Sequence, residues 1–172
     1  MQTLVQYSFE LMSNVLLCIS GNSPMVVPEA WLAGGSDYDQ TYVVTSNSSD
    51  SPNEGINDFF SSRADIKLHF YRVEGFDRLL EEKEHVLFLE ALQRIYLYAR
   101  EKAQGGRLDV CLTGGFKTMS AALQRSARLL GADSIFHVLC DENPDTPDQV
   151  IRSWEKGKIR KIELGSESGH RL

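Results

Sequence analysis

The sequence predicts an α/β domain of the doubly wound, Rossmann-like kind, a mostly parallel sheet with helices on both faces. Three observations predict it. Short apolar runs alternate with stretches of helical period along most of the chain. The first and fourth of those runs each end in a glycine-bearing turn that opens a helix. The length of 172 residues, 42% of them hydrophobic, suits one domain around one sizeable core.

The elements follow in chain order. Residues 1–13 fit no element and read as an N-terminal extension compatible with disorder, with Met12 a candidate second start; residues 14–172 read as the single domain. Strand-like runs lie at residues 15–20, 41–45, 66–73, 108–112 and 134–140, with a weaker one at 158–164. Helix-like stretches lie between most of them. Residues 24–33 follow the first strand, and residues 85–102 carry Phe88, Leu92, Ile95 and Ala99 on one face. Residues 118–130 repeat Met119, Leu123, Ala127 and Leu130 at helical spacing, with Gly131 as the expected C-cap. Residues 148–155 form the last helix. The stretch SNSSDSPNEG, residues 46–55, is polar and rich in turn formers and reads as a loop.

Composition excludes several functions. A formal net charge of −6 argues against duplex nucleic acid or an anionic membrane as partner, so an anionic ligand requires a local positive site. Cys18, Cys111 and Cys140 form no C-x-x-C pair and read as buried free thiols of a reducing cytoplasm. No 18-residue apolar run and no signal-peptide pattern is present. The expected localisation is cytoplasmic.

The chemistry concentrates in residues 112–123, LTGGFKTMSAAL. A strand runs into the turn Thr113-Gly114-Gly115 and a helix leaves it, so Lys117 stands where free amides and the positive end of a helix dipole already favour an anion. The pattern is not a Walker A loop, which needs a glycine directly before the lysine, nor a G-x-G-x-x-G fingerprint. A Gly-Gly turn with a solvated lysine is also common in α/β proteins. The first strand ends in Gly21-Asn22-Ser23-Pro24. In the usual order 3-2-1-4-5 the first and fourth strands are neighbours, so the two turns fall side by side at a ligand crevice for a nucleotide or phosphate.

GNSP after the first strand, TGGFKTMSAAL after the fourth and SIFHVL in the fifth resemble the CARF domain family, sensors of cyclic oligoadenylate in type III CRISPR immunity. The similarity covers roughly residues 14–140 and is greatest to the compact single-domain ring nucleases, although Phe116 stands where members often carry arginine or another polar residue. The resemblance implies a homodimer that binds a ring of 3′-5′-linked adenylates, cyclic tetra-adenylate being the usual ring, across its two-fold axis. In ring nucleases that ring is cut to end the immune signal, by 2′-hydroxyl attack without metal or cofactor, leaving 2′,3′-cyclic phosphate ends. The matching positions are Ser23 and Lys117: Lys117 and the amides of residues 114–116 would stabilise charge, and Ser23 would orient the 2′-hydroxyl or the phosphate.

Each residue has a plainer reading beside this one. Ser23 with Pro24 makes a standard N-cap and N1 pair. Gly21 and Asn22 make a turn, or turn amides towards the ligand. Thr118 and Ser120 serve equally as first-turn caps or ligand contacts. Phe116 stacks on an adenine or wedges into a dimer interface. Thr45 and Ser46 end the second strand beside the crevice, within reach of a ribose or base, or are plain loop polarity. His137 and His69 read as core or interface histidines, and residues 141–145 as a solvated acidic loop; no metal site is expected. Two functions stay open: a ring nuclease, favoured by the short chain after Leu164, and a CARF sensor that holds the ring uncut and regulates an effector. A nucleotide binder outside CRISPR is a third.

Overall fold

A computed structural model describes residues 12–46, 52–75 and 81–165 of the chain. Six strands form one sheet, in the order β3-β2-β1-β4-β5-β6. They are β1 (Val15–Ile19), β2 (Gln40–Ser46), β3 (Lys67–Val73), β4 (Leu108–Cys111), β5 (Ser134–Cys140) and β6 (Ile159–Gly165). The first five are parallel and β6 runs antiparallel to β5. The helices are α1 (Val26–Ala33), α2 (Pro52–Ser61), α3 (Glu82–Ala103), α4 (Lys117–Leu130) and α5 (Pro147–Glu155). The expected fold class and strand order are therefore present, extended by β6.

Alternation along the strands splits the core in two. Val15, Leu17, Ile19, Leu108 and Val110 face α3 and α4, packing on Phe88, Leu92, Tyr96, Met119 and Leu123. Leu16, Cys18, Val43, Cys111 and Phe136 face α1, α2 and α5, packing on Trp31, Ile56, Phe59 and Val150. β1 is fully buried because helices cover both its faces, which is why it reads as a continuous apolar run. At the amino end of β4, the carboxylate of Asp109 is buried at 1% exposure. It is held by Arg107 Nε at 2.7 Å and accepts from Tyr38 OH at 2.8 Å. Arg107 also reaches Asp37 at 2.7 Å, so one guanidinium ties this end of the sheet to the loop after α1.

Three expectations change. The loop at residues 46–55 is in part a helix: residues 47–51 lie outside the described residues, but α2 begins at Pro52 and carries Gly55. Ile56, Phe59 and Phe60, spaced three and four apart, bury one face of it against the sheet and override the turn-forming composition. α1 starts at Val26, two residues later than expected, and its N-cap is Met25 with no side-chain cap, so Ser23 is not the N-cap. Pro28 explains the shift. A helix begun at Pro24 would need an amide proton at Pro28 for its ladder; instead Val27 N closes a single turn on Pro24 O at 3.3 Å, and Glu29 N to Met25 O at 3.0 Å spans the four residues of an α-helical bond. α3 begins at Glu82 with a capping box in which Glu84 accepts from the Glu81 amide at 3.0 Å.

Residues 1–11 of the expected extension lie outside the described residues; Ser13 is already tied to the domain through its amide and Ala103 O, 3.0 Å apart. The three cysteines are free, Cys18 and Cys111 buried and Cys140 half-buried. Among the described residues no helix is long and apolar enough to cross a membrane.

The carboxyl ends of β1 and β4 meet through backbone. Gly114 and Gly115 have φ of +103° and +65°, which a side chain would resist. A Cβ on Gly21 would lie 2.8 Å from the Gly115 Cα and 2.9 Å from its nitrogen, so only glycine lets the two turns touch.

Two predictions follow from this packing. Gly21→Ala lowers the urea unfolding free energy by about 1–3 kcal/mol, because main chain rather than a mobile side chain must move; unchanged stability would contradict the contact. Glu29, 5% exposed in α1, has its carboxyl pushed up to about 7 by burial, partly offset by a hydrogen bond with Cys140. Between the ordinary value of 4.5 and about 7 the folded chain keeps a proton that the unfolded chain has lost, so stability falls as pH rises through that window. Glu29→Gln removes a slope amounting to about 3 kcal/mol across it. Parallel pH profiles for parent and variant would contradict this.

Candidate functional site

The site is built on the two touching turns. β1 ends with Ser20, whose amide donates to Val44 O at 2.9 Å, and β4 continues into Leu112, whose amide donates to Phe136 O at 2.9 Å. Beyond these last ladder bonds both chains leave the sheet. Gly114 and Gly115 press against Ile19: a Cβ on Gly114 would lie 2.4 Å from the Ile19 carbonyl oxygen, and one on Gly115 2.4 Å from Ile19 Cγ2. The second turn is thus laid across the end of β1.

α4 starts directly from that turn. Phe116 is its N-cap residue in extended conformation and supplies no side-chain cap; its carbonyl takes the Met119 and Ser120 amides at 2.9 and 3.1 Å, and the amides of Lys117 and Thr118 precede that first bond. Its ring is half-buried against the α3/α4 core. Lys117, the first helical residue, is exposed. Its charge and the amino end of a 14-residue helix act at the same place. Ser120 is not an N-cap either: its hydroxyl donates to Gly114 O at 2.9 Å and ties the first turn of α4 back to the glycine turn. Thr118 is exposed.

A cleft of about 400 Å³ opens between α4 and the β5–β6 edge. Gly114, Gly115, Lys117 and Ser120 line it, joined by Gln124 and His137. Thr113 stands behind His137, its Oγ1 3.0 Å from the imidazole Nδ1, and accepts from the Val138 amide at 2.6 Å. Gly21 adjoins the cleft through Gly115, and Asn22 and Ser23 follow it, both exposed. Thr45 and Ser46 are buried at 2% and 3% exposure at the end of β2, on the other side of β1 from β4. His69 lies elsewhere, stacked on Tyr42 with ring centroids 4.5 Å apart.

Gln124 and His137 went unread as site residues. Gln124 is reached two turns into α4, on the face shared with Lys117 and Ser120. His137 alternates with Phe136 and Val138, which enter the α1 side of the core, so it faces the other side of the sheet; only the position of α4 decides whether that side is core or cleft.

Several solved structures share this architecture. Csm6 of Enterococcus italicus, bound to cyclic hexa-2′-fluoro-hexa-dAMP, superposes with a TM-score of 0.63 at 10% identity over 88% of this chain and 41% of its own. A type III CRISPR defence DNA nuclease activated by cyclic oligoadenylate gives 0.57 at 16% identity, over 78% of this chain and 20% of its own. Can2 of Sulfobacillus thermosulfidooxidans, in complex with cyclic tetra-adenylate, gives 0.50 at 11% identity, over 72% and 31%. The chain thus spans less than half the length of each, and at these identities the likeness is one of fold. No curated protein matches it. The family model for CRISPR-associated protein NE0113 matches residues 59–171, about two thirds of the chain, from α2 through the glycine turn and α4 to β6 and beyond. With that match, and with the Rossmann-like fold and glycine turns expected of a CARF domain, the chain belongs to the CRISPR-associated NE0113 family.

Proposed function

We propose that this chain is a ring nuclease: as a homodimer it binds cyclic oligoadenylate, cyclic tetra-adenylate in the first instance, and cleaves it to end a type III CRISPR signal. One observation carries the reading, the exposed Lys117 at the uncapped start of α4 beside two touching glycine turns. That is an anion site inside a chain of net charge −6, and phosphodiesters are the anions a cyclic oligoadenylate presents. Of the structures of like fold, one is bound to cyclic hexa-2′-fluoro-hexa-dAMP, one is a nuclease activated by cyclic oligoadenylate and one is in complex with cyclic tetra-adenylate.

The chemistry asks little beyond positioning. A ribose 2′-hydroxyl in line with the leaving 5′-oxygen can displace it unaided by an external nucleophile, giving a 2′,3′-cyclic phosphate. Negative charge grows on the phosphoryl oxygens in the transition state, where Lys117 and the turn amides act. Ser23, on the neighbouring turn, orients the 2′-hydroxyl or the phosphate. Gly21, Asn22 and Thr113 serve through their backbone and Thr118 through its hydroxyl, and Thr45 and Ser46 support the far side. A four-phosphate ring on a two-fold axis offers equivalent phosphates to two copies of one site, hence the dimer.

A sensor reading has its own support. The matched structures extend well beyond the part this chain covers, so the same fold occurs as one portion of longer proteins. A sensor would hold the ring uncut and regulate an effector.

The test compares enzyme in excess with cyclic tri-, tetra- and hexa-adenylate in EDTA. The parent cleaves at least one ring; Lys117→Ala lowers the single-turnover rate by about 10² or more and weakens binding less. Ser23→Ala slows cleavage with near-parental affinity. Tight binding without products after hours overturns the nuclease in favour of the sensor, and a need for added magnesium overturns the metal-independent mechanism. In sedimentation the chain is a dimer at micromolar concentration, and a monomer with and without ligand would contradict the two-fold site.

A further inference from the structure

We infer that His137 is a further catalytic residue of this site, the base that takes the proton of the attacking 2′-hydroxyl; the inference rests on the nuclease reading above. The ring is half-buried on β5 and lines the same cleft as Lys117, Ser120 and Gln124. Its Nδ1 is 3.0 Å from Thr113 Oγ1. That oxygen accepts from the Val138 amide at 2.6 Å and lies 3.4 Å from the Val138 carbonyl, to which it donates. In the tautomer the inference requires, the hydroxyl proton goes to the Val138 carbonyl and the remaining lone pair accepts from His137 Nδ1–H. The other nitrogen, Nε2, is then the acceptor on the cleft side. A ring held in this tautomer by a neighbouring oxygen is oriented as a general base.

The surroundings supply no competitor. Lys117 is the other titratable side chain lining the cleft, and it comes from α4. Gln124 on the same helix is neutral. From β6, Ile162 stands opposite His137 and Leu164 lines the cleft. Lys161 and Glu163 pair with each other at 2.9 Å, with Lys161 over the Phe136 ring on the opposite face of the sheet. Among the described residues lining the cleft, His137 is therefore the side chain whose ring can offer a nitrogen lone pair to the 2′-hydroxyl, and Lys117 keeps its role beside the phosphate.

The step balances without a further reactant. Nε2 takes the 2′-hydroxyl proton as the 2′-oxygen bonds to phosphorus; the bond from phosphorus to the 5′-oxygen breaks, and that oxygen takes a proton from water. The imidazolium then returns its proton to solvent.

The experiment measures single-turnover cleavage of cyclic tetra-adenylate against pH for the full chain and for His137→Gln and His137→Ala. Affinity is read with a ring carrying 2′-fluoro groups, which has no nucleophile. The parent loses rate as pH is lowered, since the protonated ring has no lone pair. Both variants cleave about 10²-fold or more slowly, lose that acid limb and bind the fluorinated ring within about threefold of the parent; added imidazole restores part of the rate to His137→Ala. A histidine that only supports the fold would give neither the altered pH profile nor the rescue. If both variants unfold, Thr113→Val, which frees the ring, slows cleavage and loses the acid limb while binding the fluorinated ring within about threefold of the parent; a Thr113→Val that keeps the parental rate and pH profile overturns the inference. A parent that cleaves, with His137→Gln matching its rate and pH profile, overturns this inference alone. A parent that cuts no ring overturns the nuclease reading and this inference with it, and tight binding of the fluorinated ring would then leave the sensor.

Discussion

Everything proposed for this chain depends on two stretches of backbone touching where β1 and β4 leave the sheet. Each turn alone presents only a few backbone amides. Laid against each other, with Gly114 crossing the Ile19 carbonyl and Gly21 against Gly115, they form one rigid floor. The parallel sheet enforces the meeting, since β1 and β4 are direct neighbours in register from Val15 with Leu108 to Cys18 with Cys111. Ser120 then couples that floor to the first turn of α4, the helix that begins with Lys117.

The electrostatics are local by necessity. A chain of net charge −6 repels polyanions at long range, and beyond a Debye length of about 8 Å at physiological salt its overall field counts for little. The proposed ligand would be held only when its phosphates come within reach of the α4 terminus and Lys117. On the proposed reading such a site would discriminate by shape, admitting a compact ring whose phosphates are spaced to meet two copies of it and ignoring a long duplex. It also suits catalysis: fixed amides and one cation aimed at a reacting phosphoryl group lower a barrier without reorganising during the reaction.

Much of this was legible in the sequence because its signals are local. A buried strand, a glycine turn and an amphipathic helix each occupy a contiguous window, so β1, β4, α4 and Lys117 could be read directly. What stayed hidden depends on tertiary packing. The turn formers around Pro52 and Gly55 conceal α2, whose helical state comes from Ile56, Phe59 and Phe60 meeting the sheet. The Ser23-Pro24 pair imitates a cap, and only the missing amide of Pro28 reveals that α1 cannot begin there. His137 looks like core because its strand is core; that its own face opens to a cleft follows from where α4 and β6 come to rest.

The central claim is that a phosphate of the ring sits on the turn between β4 and α4. The most direct measurement is the amide spectrum of the isotopically labelled chain, titrated with cyclic tetra-adenylate made uncleavable by 2′-fluoro groups. The amides of residues 114–118, with those of residues 21–23, are expected to show the largest shifts, because a bound phosphate would be their nearest acceptor. Saturable binding that leaves these amides unmoved while others shift would contradict the claim.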